Sequence, residues 1–349
     1  MRSGRHERRV GPVSVALVAL AVQAAPVGSW QVTASDAPEL DAGFRLLYEL
    51  KPEEARAQFA GWQASHPEDP LGSAAEAASY LFEECYRQGV LTSEYFLDDK
   101  RFLGEIPIKP DQQLREAFFA ANERSQDVAR LRLDSHPEDA NALFAMTLSL
   151  GMQADCASLI DKHQLESLRL IRDADKFAKK LLVVNPHAAD AYLTLGAANY
   201  IIGSLPRLKR FLLRFKGIKG DKSGDIRRLE IAAARGRYLR PFAKSVLALA
   251  ALREKRPAVA RIQLMELVAE FPQNPLFVRE LAKLDASHDA SQSASHRDPG
   301  RDGRPRRESR RRLTLPKDVG HTYRNSADSL VASVKSRLAR CFISENFSK

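Results

Sequence analysis

Four prolines divide the middle of this chain into units that end in the same way. They are Pro67, Pro137, Pro186 and Pro272, and a small residue lies twelve positions before each of them. Proline ends a helix because it has no backbone N–H to donate, and small side chains let two helices approach closely. The pattern therefore predicts a series of paired helices. The small residues are Ala55, Ser125, Ala174 and Ala260.

Two further features extend this periodicity. The tetrapeptide His-Pro-Glu-Asp occurs at 66–69 and at 136–139, an offset of 70 residues, close to twice the about 34 residues of a helical-hairpin repeat. Leu195 and Gly196 follow Pro186 by nine and ten residues. Together these residues resemble the tetratricopeptide repeat, in which Leu-Gly on the first helix precedes Ala-x-x-x-Phe and a closing Pro on the second. The resemblance implies an all-α fold, a right-handed solenoid of stacked helical hairpins.

The predicted hairpins have unequal lengths because several units carry insertions. In the second unit, residues 83–113 mix aromatic residues with Gly and Pro, which predicts an ordered loop with a short helix folded over the solenoid. This loop could line a binding surface, although we expect packing to be its role. A capping helix is expected to start within 276–284. The predicted pairs are 36–69, 70–139, 140–188, 189–240 and 241–274.

The first 25 residues predict an export signal. Four arginines precede a Val/Ala/Leu run, and Val22 and Ala24 place small residues where signal peptidase cleaves. The run is shorter than the ~20 residues that a membrane span needs. We therefore predict a signal peptide at 1–25 and a location in the periplasm or cell envelope. The alternatives are anchoring to the cytoplasmic membrane by an uncleaved N-terminal segment and a cytoplasmic protein with an apolar N-terminus.

The C-terminal part of the chain has a different composition from the repeats. Residues 286–349 hold 14 Lys+Arg against 7 Asp+Glu, and 304–312 contain six arginines in nine residues. Such a run cannot bury itself, so it predicts a basic, low-complexity and disordered tail. The predicted domains are thus the signal, a tetratricopeptide-like solenoid at 26–285, and the tail at 286–349.

The net charge of +10 comes from the two ends of the chain, and the solenoid itself is polarised. Residues 26–160 carry 11 basic and 23 acidic groups, whereas 161–285 carry 25 and 13. The solenoid as a whole is neutral, which argues against a nucleic-acid-binding body. Two fields of opposite sign could orient a partner or a second copy of the chain, or they could be an unevenly charged solvated surface.

A basic amphipathic stretch at 205–218 supports a second interpretation. Its apolar residues fall on one helical stripe and its cations take the other faces. Such a helix can lie on an anionic membrane, or it can be the second helix of a repeat with its stripe buried, which we favour. The membrane or anionic-partner candidates are Arg207, Lys209, Arg210, Arg214 and Lys216.

The sequence contains no motif that predicts catalysis. It lacks the Gly-x-Ser-x-Gly elbow, the His-Glu-x-x-His motif and the Cys-x-x-Cys motif. His66, His136 and His187 adjoin closing prolines and are read as turn residues, and none has a second ligand at metal-binding spacing. Cys85 and Cys156 are read as free thiols on helices. We therefore predict no enzyme activity, no metal and no cofactor.

The resemblance implies a non-catalytic scaffold that binds a protein or peptide partner on the concave face of the stacked hairpins. No small-molecule substrate is indicated. The alternative is a peripheral membrane protein that contacts anionic lipid through 205–218 and the tail. The candidate partner-binding residues are Tyr80, Leu143, Thr147, Tyr192 and Asn199, and further candidates for the same face are Ser73, Ala77 and Leu195.

Overall fold

The computed structural model of the chain describes residues 37–204 and 222–295, and within these ranges every regular element is a helix. The chain divides into a unit that ends at Gln292 and a second from Ser293 to Lys349, and all the packing described below lies in the first. The helices are α1 (Pro38–Tyr48), α2 (Pro52–Ser65), α3 (Pro70–Arg87), α4 (Ser93–Leu97), α5 (Asp99–Leu103), α6 (Gln112–Ser135), α7 (Ala140–Asp155), α8 (Gln164–Val184), α9 (Ala191–Ser204), α10 (Lys222–Arg235), α11 (Arg240–Arg253), α12 (Pro257–Glu270) and α13 (Pro275–Ser295). A π-helical turn, Cys156–Ile160, continues α7.

The helices pack as consecutive pairs, which confirms the predicted all-α stack of hairpins. The pairs are α1–α2, α3–α6, α7–α8, α9–α10 and α11–α12, and the second helix of each of the first four pairs also packs on the first helix of the next. The insertion of the second hairpin forms α4 and α5. Residues 1–36, 205–221 and 296–349 lie outside the described residues, so the signal, the 205–218 stretch and the tail remain predictions. The last helix continues beyond Asp285 to Ser295.

The His-Pro-Glu-Asp tetrapeptides end one helix and start the next. His66 and His136 are the C-cap residues of α2 and α6, and the proline that follows each of them prevents the helix from continuing. Asp69 then accepts a hydrogen bond from the backbone N–H of Leu71, at 3.0 Å, and caps α3. Asp139 caps α7 in the same way. The aspartate supplies an acceptor for an N–H group that has no partner inside the helix.

The small residues twelve positions before the prolines lie on the buried faces of their helices. Ala55, Ser125, Ala174 and Ala260 are fully buried. In the first hairpin, Gly43 of α1 lies so close to Phe59 of α2 that a Cβ atom at position 43 would be 2.2 Å from the ring. The sequence pattern therefore marks the positions where helix backbones must approach each other.

The third hairpin provides the centre of the core. Helix α7 packs against α3, α6, α8 and α9, and its side chains from Ala142 to Leu150 are all buried. By length and composition, Ala140–Ile160 could cross a membrane, but 72% of its apolar window is buried inside the protein. A helix that is apolar on every side is expected at the middle of a helical stack. We therefore interpret α7 as a core helix.

Candidate functional site

Three aromatic rings from different parts of the stack meet in the hydrophobic core. Tyr238, in the segment between α10 and α11, stacks on Phe144 of α7 with ring centroids 6.2 Å apart. It also contacts Phe44 of α1, with ring centroids 4.7 Å apart. All three residues are buried. Residues of the first and third hairpins and of the segment that leads into the fifth therefore share one core.

Polar contacts near these rings close the first hairpin onto the last. The hydroxyl of Tyr48 in α1 donates to the backbone carbonyl of Tyr238 at 3.0 Å. The side-chain amide of Asn274 donates to the carbonyl of Tyr48 at 2.7 Å. Asp41 and Arg237 form a two-pronged ion pair with distances of 2.8 and 2.9 Å. The two Tyr48 contacts join residues 190 and 226 positions apart in the chain.

A buried carboxylate holds the segment that carries Tyr238. Asp190, just before α9, accepts backbone N–H groups from Arg237 and Tyr238 at 3.1 and 3.2 Å, and from Leu239 at 3.0 Å. Burial raises the pKa of Asp190, while these three N–H bonds act in the opposite direction. The carboxylate therefore fixes the start of the fifth hairpin against the fourth.

The insertion makes a second set of contacts with the last hairpin and the helix that follows it. Arg253 of α11 donates to the carbonyl of Phe96 at 2.7 Å. Lys283 of α13 pairs with Glu94, and Ser93 donates to Glu280. On the other side, Lys162 donates to the carbonyl of Phe102 at 3.2 Å. The insertion thus packs between the third and fifth hairpins, as its mixture of aromatic and turn residues indicated.

The structure places two of the predicted partner-binding residues in the core. Leu143 and Thr147 are each 1% exposed, and the Thr147 hydroxyl donates to the Leu143 carbonyl at 2.8 Å. The reason is that α7 is surrounded by other helices, so neither side chain can contact a partner in this conformation. Ser73, Ala77 and Leu195 are also buried.

The remaining predicted residues are partly accessible or lie outside the described part of the chain. Tyr80 is half-buried, donates to Glu76 at 3.1 Å and lies under the Arg56 guanidinium. Burial raises its pKa. Tyr192 is half-buried against the core. The side chain of Asn199 and the basic residues Arg207, Lys209, Arg210, Arg214 and Lys216 lie outside the described part of the chain.

The two His-Pro-Glu-Asp turns lie side by side and form a surface cleft. In the first turn, the Trp62 indole donates to Asp69 at 3.1 Å, seven residues later. In the second, Arg132 donates to Asp139 at 2.8 Å with the same separation. Arg132 also donates to the carbonyl of Glu68 at 3.2 Å, which joins the turns. The cleft is lined by Trp62, Ser65, His66, Pro67, Glu68, Asp69, Arg132 and Asn141.

The cleft offers aromatic and charged groups that can bind a partner. The His66 ring stacks on Trp62 with centroids 3.7 Å apart, and the Glu68 side chain is exposed. The sequence pattern indicated these turns only as helix boundaries. The signal that could have indicated the cleft was the 70-residue offset between the two tetrapeptides, because stacking places equivalent positions of neighbouring hairpins side by side.

The buried thiols are not arranged as nucleophiles. Cys85 on α3 and Cys156 at the π-helical turn are both free and buried, as expected from the sequence. Burial raises the pKa of both thiols, that of Cys156 to about 12, so they stay protonated at neutral pH. Among residues 37–204 and 222–295, no group of three or more His, Cys, Asp or Glu side chains could hold a metal ion.

Known proteins show little similarity to this chain. No protein-family model matches it, and no curated protein matches it. Among solved structures, the chain is similar to a thermophilic tetratricopeptide-repeat protein from Thermus thermophilus, with 15% sequence identity and a TM-score of 0.39. The similarity covers 71% of this chain and 98% of that chain. A similarity this low supports no functional argument. The assignment of the fold rests on the observed helix pairs.

Proposed function

We propose that the protein is a non-catalytic scaffold that binds a protein partner at the cleft between the two His-Pro-Glu-Asp turns. The observation that carries this proposal is the junction made by Arg132, which donates to Asp139 and to the Glu68 carbonyl. It joins two helix boundaries side by side, and the stacked His66 and Trp62 rings line the cleft beside them. Recognition is more selective when the groups that bind are positioned in advance.

The charges around the cleft favour a basic segment of the partner. The cleft lies in the acidic half of the chain, where 26–160 carry 23 acidic and 11 basic groups. The Glu68 carboxylate is exposed at its edge, and Arg132 is occupied by Asp139. A Lys or Arg side chain of a partner could pair with Glu68 and lie against the exposed His66 ring, which covers Trp62.

The proposed site differs from the concave face implied by the resemblance to tetratricopeptide repeats. Within the stack, Phe44, Phe144 and Tyr238 are buried against one another. A partner would have to separate the first hairpin from the last in order to reach them. The cleft requires no such rearrangement, because it is open in the closed stack.

The repeated motif supplies a matched pair of variants for testing this site. Glu68 and Glu138 occupy the same position in the two tetrapeptides and are both exposed, but only Glu68 lines the cleft. We would select random peptides on the purified chain by display and measure their binding to Glu68→Lys and Glu138→Lys. We expect selected peptides to be basic and to lose about tenfold or more in affinity with Glu68→Lys alone. Equal loss with both variants, or no enrichment of basic peptides, would refute the cleft as the binding site.

We also propose that the scaffold acts in the cell envelope after removal of 1–25. The support is the basic and apolar N-terminal sequence described above. The intact mass of the protein from soluble, periplasmic and membrane fractions tests this directly. A mass that lacks about 24 residues, found outside the cytoplasm, is expected. A full-length mass in the cytoplasm would contradict the export proposal.

A peripheral membrane protein is the second candidate, and the exposed cations of α8 favour it. Arg169, Arg172 and Lys179 are exposed on that helix, and the chain also contains the basic 205–218 stretch. Sedimentation of the purified full chain with phosphatidylserine vesicles distinguishes this candidate from the scaffold. Binding that disappears at high salt would support it. No sedimentation at low salt would exclude it.

A further inference from the structure

Helix α6 carries a straight row of carboxylates on its exposed surface. Glu116, Glu123, Asp127 and Asp134 are separated by seven, four and seven residues and are all exposed. With 3.6 residues per turn, these spacings place the four side chains on one line along the helix. Asp127 pairs with Arg130, but in the described part of the chain no ion pair is formed by Glu123 or Asp134. We call these four residues the acidic row.

Helix α8 carries the opposite charge in a similar arrangement. Its exposed cations repeat mainly at intervals of three and four residues, which keeps them on one side of the helix. Lys176 pairs with Asp173, and within the described ranges no ion pair involves the other cations. The members of this basic row are Arg169, Arg172, Lys176, Lys179 and Lys180.

Both rows end beside an exposed aliphatic side chain. Leu131, near the C-terminal end of α6, is 71% exposed, and Val183, near the C-terminal end of α8, is 83% exposed. These are the highest values among the exposed large apolar residues of the described chain. Each row thus combines a long charged surface with one apolar contact at the same end.

The fold sets the two rows in the same orientation. Helices α6 and α8 both pack on α7, and short connections make each antiparallel to it, so they run in the same direction. Near their N-terminal ends, Arg115 of α6 pairs with Asp161, which lies just before α8. The acidic and basic rows are therefore parallel and belong to successive second helices of the stack.

We propose that these rows form the interface of a homodimer. A two-fold axis parallel to the helices would place α6 of each copy against α8 of the other, so that both acidic rows meet basic rows. Because the helices then run in the same direction, Leu131 of one copy approaches Val183 of the other. Such an interface is isologous and closed, as most homodimer interfaces are.

Charge complementarity favours a second copy over an anionic membrane. An anionic surface would attract the basic row but repel the acidic row, and it would leave the acidic row without an opposite charge. A second copy of the chain satisfies both rows at once. This inference does not depend on the cleft, since Glu68 and Asn141 belong to neither row.

Charge reversal with rescue tests the dimer. The molar mass of the full chain would be measured by light scattering and sedimentation over a range of concentrations at low and high salt. We expect a dimer that weakens as salt rises. Glu123→Lys with Asp134→Lys should weaken it about tenfold or more, as should Arg172→Glu with Lys179→Glu. The off-row control Glu53→Lys with Glu54→Lys on α2 should have no effect.

Mixing the two reversed chains provides the decisive measurement. In the mixed pair, the intact acidic row of one variant meets the intact basic row of the other, and the introduced lysines meet the introduced glutamates. The two variants together should therefore form a heterodimer although each alone associates weakly. The four-fold variant, which exchanges the charges at two positions of each row, should dimerise more strongly than either double variant. Circular dichroism confirms that each variant is folded. A wild-type chain that stays monomeric up to about 100 µM at low salt would overturn the proposal, because that excludes even weak association. A dimer insensitive to both reversals, or failure of the mixed chains to associate, would also overturn it.

Discussion

Asp41 and Arg237 form a two-pronged ion pair although 196 residues separate them in the chain. Asp41 lies in the first described helix, and Arg237 lies in the segment that leads into the last hairpin. The pair is accompanied by the buried contacts of Tyr48 with Tyr238 and Asn274. The first hairpin is therefore bound to the last, and the stack is closed by specific contacts.

We expect the buried contact to contribute more to this closure than the ion pair. The Asn274 amide donates to the Tyr48 carbonyl, and its oxygen accepts from the backbone N–H of Leu276 at 2.8 Å. Asn274→Ala should lower the free energy of unfolding by roughly 2–3 kcal/mol, because it removes a helix cap and leaves a buried carbonyl without a partner. Asp41→Asn should cost less than about 1 kcal/mol, because that pair is partly exposed. Urea unfolding of both variants checks the ranking, and equal losses would contradict it.

Replacement of Gly43 and of Gly61 by alanine should change the stability of the protein in opposite directions. At Gly43 a Cβ atom would lie 2.2 Å from the Phe59 ring, so Gly43→Ala should destabilise the protein by about 1–3 kcal/mol through overpacking. At Gly61, in α2, no atom lies within 4 Å of the added carbon. Gly61→Ala should therefore stabilise the helix by about 0.5–1 kcal/mol. Thermal and urea unfolding measure both changes, and a neutral Gly43→Ala would show that the two helices can separate freely.

The pH dependence of stability should include a contribution from Asp175. Burial raises its pKa to about 6, and one carboxylate oxygen is buried without a hydrogen-bond partner in the described structure. Between about pH 4 and 6 the folded chain keeps a proton on Asp175 that the unfolded chain has released, so this group makes stability fall as pH rises. Asp175→Asn should remove this decrease of stability with pH and stabilise the protein at pH 7 by roughly 1–2 kcal/mol. This gain is smaller than the full change in the pKa of Asp175 implies, because the carboxylate is partly hydrated.

The control for this effect is Asp173→Asn, two residues away on the same helix. The Asp173 carboxylate is half-exposed and pairs with Lys176 on the surface. Its replacement should change stability by less than about 0.5 kcal/mol at any pH. Unfolding curves at several pH values between 4 and 8 compare the two variants. A pH profile of Asp175→Asn that matches the wild type would refute the assignment.

The insertion should loosen when its contact with α11 is removed. Arg253 donates to the Phe96 carbonyl at 2.7 Å, so Arg253→Gln should speed amide hydrogen exchange at 93–103 by about tenfold without affecting α3. Arg256→Gln is a matched control, because Arg256 is exposed and pairs only with the neighbouring Glu254 in the described structure. Hydrogen exchange followed by mass spectrometry measures both variants. Identical exchange at 93–103 would show that the insertion is held by its other contacts.

The local signals in the sequence were sufficient to predict the hairpins. Pro67 and Pro137 stop helices through the missing N–H, Asp69 and Asp139 start the next ones, and Ala55 permits close packing. Each of these effects acts within a few residues, so it can be recognised without knowledge of the rest of the chain. The order and pairing of the helices followed from these signals.

The closure of the stack was decided only by the tertiary structure. Whether Phe44, Phe144 and Tyr238 meet depends on small rotations between successive hairpins, which add up along the stack and leave no local mark in the sequence. For the same reason, Leu143 and Thr147 could be placed on a first helix but not identified as core residues. The sequence alone determined where the helix pairs are divided at the closing prolines, because those interactions are local. The tertiary structure decided which faces remain accessible, because that depends on contacts between residues up to 226 positions apart.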